Sequence, residues 1–219
     1  MATKSYNIAN YLQDTKYASE HLIEQIVKAD KYRKIIIKTL GDWAKVEEKY
    51  LEFLGAEADS PEYFEARDNH TVELKKFDAK YETDHINASD ITLIKSKYND
   101  SLKAANGTVE ALSGAVLQIA KQGISIVHGS SKFDCEKVGC KEFGSATLLD
   151  VIWEGRNQSM HFEERKFSEE VDFCFESLSS VKSVFAKYKD NKNMAHEIIK
   201  LLKCGNYEDF RKDMMSFKR

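Results

Sequence analysis

The chain has 219 residues, of which 42% are hydrophobic and 32% are charged, and its formal net charge at pH 7 is −3. With only one proline and 10 glycines, it lacks the turn residues that a β-rich fold of this length needs, so the composition favours long helices with few connections. The slightly acidic balance excludes a protein that coats duplex nucleic acid through its overall charge, and any contact with nucleic acid has to be local.

The N-terminal part, residues 1–104, shows apolar residues at helical spacing. Residues 7–54 form either one very long helix or two, since Gly41 weakens a helix without forbidding it. A second helix begins at Pro61, which suits the first helical position. A third helix begins after Ser89, a suitable N-cap. We expect these helices to complete or cover the bundle formed by the rest of the chain.

The remainder of the chain, after a turn predicted at Asn106 and Gly107, continues as helices. A central segment, residues 105–188, and short helices in residues 189–219 complete what we expect to be a single all-α domain over residues 1–219. The predicted helices cover residues 108–127, 145–160, 168–185, 194–203 and 206–215, with a long loop at 128–145. The sequence therefore predicts an all-α bundle of about seven helices.

The four cysteines and the N-terminal residues indicate in which cellular compartment we expect the protein. The N-terminal residues contain no apolar run typical of a secretory segment, and no stretch approaches the roughly 20 apolar residues that span a bilayer. We therefore expect a cytoplasmic protein with reduced thiols and no membrane partner.

The predicted loop contains three side chains of types that bind metal, His128, Cys135 and Cys140. Structural zinc sites use four ligands, commonly paired two to four residues apart, and this spacing does not match. Loop thiols without a metal are the better interpretation, and we expect neither a metal nor a cofactor.

The segment IWEGRNQSMHFEE, residues 152–164, combines side chains that suit the cleavage of a phosphodiester. The guanidinium of Arg156 matches phosphate oxygens, and His161 can accept or donate a proton near neutral pH. Asn157 could orient an imidazole or hold a substrate oxygen. Together they could cleave RNA without a metal, because the 2′-hydroxyl of RNA supplies the nucleophile.

The spacing between Arg156 and His161 raises a geometric difficulty. Five residues of a regular helix turn through about 500°, which leaves the two side chains roughly 140° apart around the axis. Either the helix breaks near Gln158 and Ser159, or both groups meet counterparts from another chain. A plainer alternative is that the arginine pairs with a nearby glutamate, and that the histidine lies at the helix C-terminus, where it interacts favourably with the helix dipole.

The hexapeptide RNQSMH, residues 156–161, resembles the motif of the HEPN domain family, an all-α family common in toxin–antitoxin and antiviral systems. Its motif is an arginine, a polar residue and, after a short spacer, a histidine. The setting is similar too, since an apolar helix leads into the motif and a capped helix follows. The resemblance covers about residues 105–188, which would form a HEPN-like core.

The resemblance implies a homodimer in which the motifs of both chains face one cleft, and, in active members, a metal-independent endoribonuclease that leaves a 2′,3′-cyclic phosphate. It implies that Arg156 stabilises the phosphorane, that His161 acts as acid or base and that Asn157 supports the histidine. The implied partners are an RNA substrate and an antitoxin or regulatory protein, in a toxin–antitoxin or antiphage setting. We assign three further residues of the segment to substrate binding: Glu154, Gln158 and Ser159.

A second function stays open because of the charges around the motif. Glu154, Glu163 and Glu164 would repel a polyanion, and Arg165 and Lys166 offset this only in part. Some members of the family are not catalytic. The alternative is therefore a non-catalytic dimeric module that binds a nucleotide, RNA or a partner protein, and a third hypothesis is a helical scaffold in which the motif is structural.

Overall fold

The computed structural model describes residues 6–81, 90–135, 141–164 and 166–218. Within these residues the protein is an all-α helical bundle with seven α-helices and one small two-stranded ribbon, which confirms the predicted fold class. The elements are α1 (Ile8–Gly55), α2 (Pro61–Tyr81), α3 (Asp90–His128), β1 (Glu142–Phe143), β2 (Ala146–Thr147), α4 (Leu148–His161), α5 (Glu169–Val181), α6 (Ala195–Leu201) and α7 (Tyr207–Met215).

The first and third helices are longer than the turn signals suggested. Helix α1 is uninterrupted over 48 residues, so the alternative of one long helix holds, with Gly41 inside it. Helix α3 is continuous over 39 residues, and the turn predicted at Asn106 and Gly107 is wrong. Helix nucleation is the costly step, whereas extending an existing helix through one glycine costs about 1 kcal/mol relative to alanine. Ser89, the predicted cap of α3, lies outside the described residues.

The chain forms two compact units, one made of Met1–Ala29 with Gly107–Arg219 and the other of Asp30–Asn106. The start of α1 and the short C-terminal helices thus belong to the same unit as the segment that carries the motif. The second unit has a small core in which the rings of Trp43 and Phe77 meet edge to face at 4.8 Å.

The core of the first unit surrounds α4, which packs against α5 and α6. Two tyrosine hydroxyls join the start of α1 to the rest of this unit. Tyr11 donates to the carbonyl of Ile119 in α3 at 2.8 Å, and Tyr207 of α7 donates to the carbonyl of Leu12 at 2.9 Å. Each hydroxyl fixes the position of one helix against another, because a buried hydroxyl without a partner would cost free energy.

Helix α4 begins at Leu148, three residues later than predicted, because Thr147 caps it. The Thr147 hydroxyl accepts a hydrogen bond from the Asp150 amide at 3.2 Å, and the Asp150 carboxylate accepts one from the Thr147 amide at 2.8 Å. This reciprocal capping box satisfies two amides that a helix start otherwise leaves unpaired.

The C-terminal helices follow the predicted order. Ser168 caps α5 as predicted, accepting from the Val171 amide at 3.4 Å. Helix α5 ends at Val181, earlier than predicted, because Lys182 is extended and Ser183–Lys189 continue as a 3-10 helix. None of the helices in the described part of the chain has an apolar stretch long enough to cross a bilayer.

Candidate functional site

Helix α4 carries the whole motif without a break. Residues Leu148–His161 are all helical, so the helix does not break at Gln158 or Ser159. Arg156 and His161 therefore leave the helix about 140° apart, and each has its own neighbours. One chain does not bring the two groups into the same cleft.

The side chain of Arg156 extends from α4 towards α3. Its Nε donates to Oε1 of Gln118 at 2.5 Å, and its Nη1 donates to Oδ1 of Asn157 at 3.4 Å. These partners are neutral amides, not the neighbouring glutamates that the plainer interpretation of the sequence proposed. The guanidinium is partly exposed and keeps its full positive charge, since arginine does not deprotonate in proteins.

Asn157 connects groups from two helices through its side-chain amide. Its Oδ1 also accepts from Nζ of Lys121 on α3 at 3.1 Å, and its Nδ2 donates to Oε2 of Glu154 at 2.9 Å. These hydrogen bonds join Asn157 to Arg156, Lys121 and Glu154. The amide supports the arginine side of the motif, whereas the resemblance assigns it to the histidine.

Glu154 is only 2% exposed, and the partly buried ammonium of Lys132 forms an ion pair with it. Nζ of Lys132 lies 3.0 Å from Oε1 of Glu154 and 2.6 Å from the Asp150 carboxylate. Burial by itself lowers the pKa of Lys132, but the hydrogen bonds to Asp150 and Glu154 outweigh it and raise the pKa overall. Glu154 is therefore an ion-paired carboxylate that orients Asn157, and it is not part of an exposed acidic flank.

Gln158 and Ser159, both predicted to bind substrate, are buried. Gln158 is fully buried, donates to the carbonyl of Lys192 at 2.7 Å and accepts from the amide of Met194 at 3.0 Å. Ser159 is 7% exposed and donates to the carbonyl of Arg156 at 2.8 Å. Because both side chains bind backbone inside the protein, the structure does not support substrate contacts for either residue.

His161 is the last residue of α4, and its side chain is 52% exposed. Its Nδ1 lies 2.6 Å from Oε1 of Glu164. A carboxylate only accepts hydrogen bonds, so Nδ1 carries the proton in this pair and Nε2 is the acceptor of the neutral ring. The ring is thus accessible for proton exchange.

Helix α3 contributes residues that the sequence analysis did not single out. Arg156 lines an open cavity of about 400 Å³ together with one face of α3: Gln118, Lys121, Gln122, Ser125 and Ile126. The spacing of these residues in the sequence corresponds to neighbouring turns of one helix face. One signal was available, because Lys121 and Glu110 are the only charged residues in the stretch 109–127.

Lys121 is partly buried and lies over the ring of Trp153, with Nζ 4.5 Å from the ring centroid. Burial and the nearby charge of Arg156 lower the pKa of this lysine, while the charge of Glu154 acts in the opposite direction. The lysine is held in place by the aromatic ring below it and by the hydrogen bond to Asn157.

A second cavity, of about 730 Å³, lies on the other side of Asn157 between α4, the start of α5 and the 3-10 turn Lys132–Cys135. Its walls combine the Lys132 ion pairs with two exposed rings, Phe133 and Phe173. Asn157 thus joins Glu154, which is ion-paired with Lys132, to Arg156, which lines the smaller cavity.

The histidine and the cysteine of the predicted loop that lie in the described part of the chain form hydrogen bonds to backbone carbonyls. Nε2 of His128 donates to the carbonyl of Phe217 at 2.5 Å, and the Cys135 thiol donates to the carbonyl of Ser131 at 3.7 Å. Cys140 lies outside the described residues. Burial raises the pKa of the Cys204 thiol to about 12, which keeps it protonated and unreactive.

No family model, curated protein or solved structure matches this chain. The likeness to the HEPN family therefore rests on the RNQSMH motif and on the helices around it.

Proposed function

We propose that this protein is a HEPN-like, metal-independent endoribonuclease that acts in a toxin–antitoxin or antiphage defence setting. The observation that carries the proposal is the arrangement of the motif on α4. Arg156 lies at an open cavity without a carboxylate partner in the described part of the chain, and His161 is exposed at the helix end. Both groups suit phosphodiester cleavage, but they lie on different sides of one helix.

A homodimer resolves this separation. Two chains related by a two-fold axis present the same surface to each other, so the arginine of one chain can face the histidine of its partner. The complete site then belongs to the dimer, and a single chain has only its parts.

The chemistry in such a site needs no metal. The 2′-hydroxyl of the substrate attacks the adjacent phosphorus while the imidazole of His161 accepts its proton, and the 5′-oxygen leaves with a proton from a water molecule. The protonated imidazole then returns its proton to the hydroxide that remains. Arg156 stabilises the charge that develops on the phosphorane oxygens. The products are a 2′,3′-cyclic phosphate and a 5′-hydroxyl.

The carboxylates near the motif oppose the binding of RNA less than their number in the sequence suggests. Glu154 is paired with Lys132 inside the protein, and Glu164 lies against His161. A polyanion approaching Arg156 therefore meets less negative charge from Glu154, whereas the exposed Glu163 and Glu164 keep theirs.

A non-catalytic dimeric module that binds a nucleotide, RNA or a partner protein is the second candidate. It is favoured by the contacts of Asn157, which bind Lys121, Arg156 and Glu154 and leave His161 without the support that the resemblance implies. This candidate predicts binding of RNA without cleavage.

The deciding experiment is cleavage of mixed cellular RNA in excess EDTA by the wild type, Arg156→Ala and His161→Ala. We expect only the wild type to cleave and to leave cyclic phosphate ends. His21→Ala is the matched control, since His21 is another exposed histidine and lies on α1. We expect it to cleave like the wild type.

Cleavage that disappears on chelation, or that survives both motif substitutions, would reject the ribonuclease. If the wild type binds RNA but leaves it intact, the non-catalytic module is the better account.

A further inference from the structure

Two positive side chains converge on one oxygen atom at the edge of the motif. Nζ of Lys121 lies 3.1 Å and Nη1 of Arg156 lies 3.4 Å from Oδ1 of Asn157. Like charges this close repel each other, and the lowered pKa of Lys121 reflects its burial first and the charge of Arg156 second.

The nearby carboxylate of Glu154 offsets the charge of this pair only in part, although it raises the pKa of Lys121. Oε2 of Glu154 accepts from Asn157, and Oε1 accepts from Lys132, so both oxygens of the carboxylate have other partners. Neither Lys121 nor Arg156 forms an ion pair with an acidic side chain in residues 6–81, 90–135, 141–164 and 166–218. The two cations therefore keep an unbalanced positive charge.

The cavity beside the pair suits an anion. None of the described residues that line it is acidic, and three neutral side chains there can donate hydrogen bonds: Gln118, Gln122 and Ser125. Arginine and lysine together provide a planar fork and a point charge, the combination that proteins use for phosphate oxygens. With about 400 Å³, the open cavity also has room for the sugar attached to a phosphate.

We propose that Lys121 and Arg156 form a phosphate-binding site in this cavity between α3 and α4, and that its ligand is a phosphate group of RNA. Lys121 is a binding residue here. Its ammonium exchanges the amide oxygen of Asn157 for a phosphate oxygen and so holds the RNA backbone beside the motif. RNA as the source of the phosphate rests on the proposed function, whereas a free nucleotide would present the same group.

The test measures binding separately from cleavage. A fluorescent 2′-O-methyl RNA of 12 nucleotides cannot be cleaved by 2′-hydroxyl attack, and its affinity is read by anisotropy in EDTA at several salt concentrations. We expect Lys121→Gln to weaken binding about fivefold to tenfold and to reduce the slope of log affinity against log salt by about 1. Lys121→Arg retains the charge and should bind like the wild type. The control is Lys28→Gln, which removes an exposed charge on α1 and should change nothing.

A second pair of variants tests the cavity without altering a partly buried residue. Gln122 is exposed on the wall of the cavity. Gln122→Glu adds a negative charge there and should weaken binding several-fold more than Gln122→Ala does. If Lys121→Gln and Gln122→Glu both bind the oligonucleotide with wild-type affinity and salt slope, the phosphate site is rejected.

Competitors identify the source of the phosphate. Adenosine 5′-monophosphate should displace the oligonucleotide, whereas adenosine should not, because only the former carries the phosphate. If the mononucleotide alone binds as tightly as the oligonucleotide, RNA is rejected as the ligand in favour of a free nucleotide. Binding that depends on Lys121 without any cleavage by the wild type would keep this site and reject the ribonuclease. If the wild type cleaves RNA but neither binding nor cleavage depends on Lys121, the ribonuclease is kept and the phosphate site is rejected.

Discussion

Arg156 and His161 lie on one unbroken helix but share no hydrogen-bond partner among the residues that the structure describes. The arginine is bound by Gln118 and Asn157, and the histidine is paired with Glu164. Each half of the motif is accessible by itself. A reaction that needs both halves at one phosphate therefore needs two chains, and this separation gives the proposed ribonuclease a direct test.

Mixing two inactive variants tests whether the site is shared between chains. Arg156→Ala and His161→Ala should each be inactive, but their mixed dimers contain one site with an intact arginine and an intact histidine from opposite chains. With random pairing, about half of the dimers are mixed, and each mixed dimer has one intact arginine–histidine pair out of two. About a quarter of the wild-type cleavage should therefore return. Cleavage is measured after the two variants have been unfolded and refolded together. Mixed dimers that form but stay inactive would place both groups of the site on the same chain.

Lys132 is expected to contribute strongly to stability. Lys132→Met leaves the buried carboxylate of Glu154 and the partly buried carboxylate of Asp150 without a cation. Removing one partner of a fully buried ion pair costs about 3–5 kcal/mol, and we expect a cost at the lower end of this range because Asp150 and Lys132 are partly exposed. Urea unfolding followed by circular dichroism measures the loss. The double variant Lys132→Met/Glu154→Gln should recover part of it, because one of the unpaired charges is gone. Equal stabilities of the single variant and the wild type would contradict this assignment.

The same ion pair predicts how stability depends on pH. Burial by itself raises the pKa of Asp150, but the hydrogen bonds from Lys132 and Thr147 outweigh it and hold the pKa below the ordinary value of 3.8. The unfolded chain then binds more protons, so the stabilisation is complete above about pH 4 and is lost as the pH falls through the lowered pKa. Unfolding free energies of the wild type should fall in this acidic range, and those of Asp150→Asn should fall less. If the free energies of unfolding of the wild type and of Asp150→Asn fall in parallel with pH, Asp150 is excluded as the source of the pH dependence.

Gln158 is expected to affect stability before it affects any substrate. Gln158→Ala leaves the amide of Met194 and the carbonyl of Lys192 without their side-chain partner inside the protein, at a cost of about 2–3 kcal/mol. Ser159→Ala is the matched control, because its hydroxyl bonds to a carbonyl of its own helix and its loss should cost about 1 kcal/mol or less. Chemical unfolding of both variants gives the comparison. Unchanged stability together with weaker RNA binding in Gln158→Ala would restore the role in substrate binding.

Gly155 allows α6 to approach α4 directly beside Arg156. A Cβ atom at this position would overlap Cδ1 of Ile198, so Gly155→Ala should destabilise the protein by about 1–3 kcal/mol. Ile198→Val removes this terminal carbon, and the double variant should be more stable than Gly155→Ala alone. Thermal unfolding measures both. If Ile198→Val only adds a further loss to that of Gly155→Ala, the overlap is not the cause.

Local features of the sequence were enough to predict the helices of the motif region. Ser168 caps α5 through a contact three residues along the chain, so a short stretch of sequence already contains both partners of this bond. The motif itself was also visible, because the side chains that suit phosphodiester chemistry are close neighbours in the sequence. The resulting all-α bundle agrees with the structure.

The partners of the motif come from distant parts of the chain, and only the folded structure decides them. Gln118 and Lys121 lie more than 30 positions before Arg156 and Asn157, and the backbone that binds Gln158 lies more than 30 positions after it. Periodicity shows which residues share a helix face, but it does not show which helix packs against that face. The neutralisation of Glu154, the burial of Gln158 and the pairing of two cations at one oxygen are therefore results of tertiary packing.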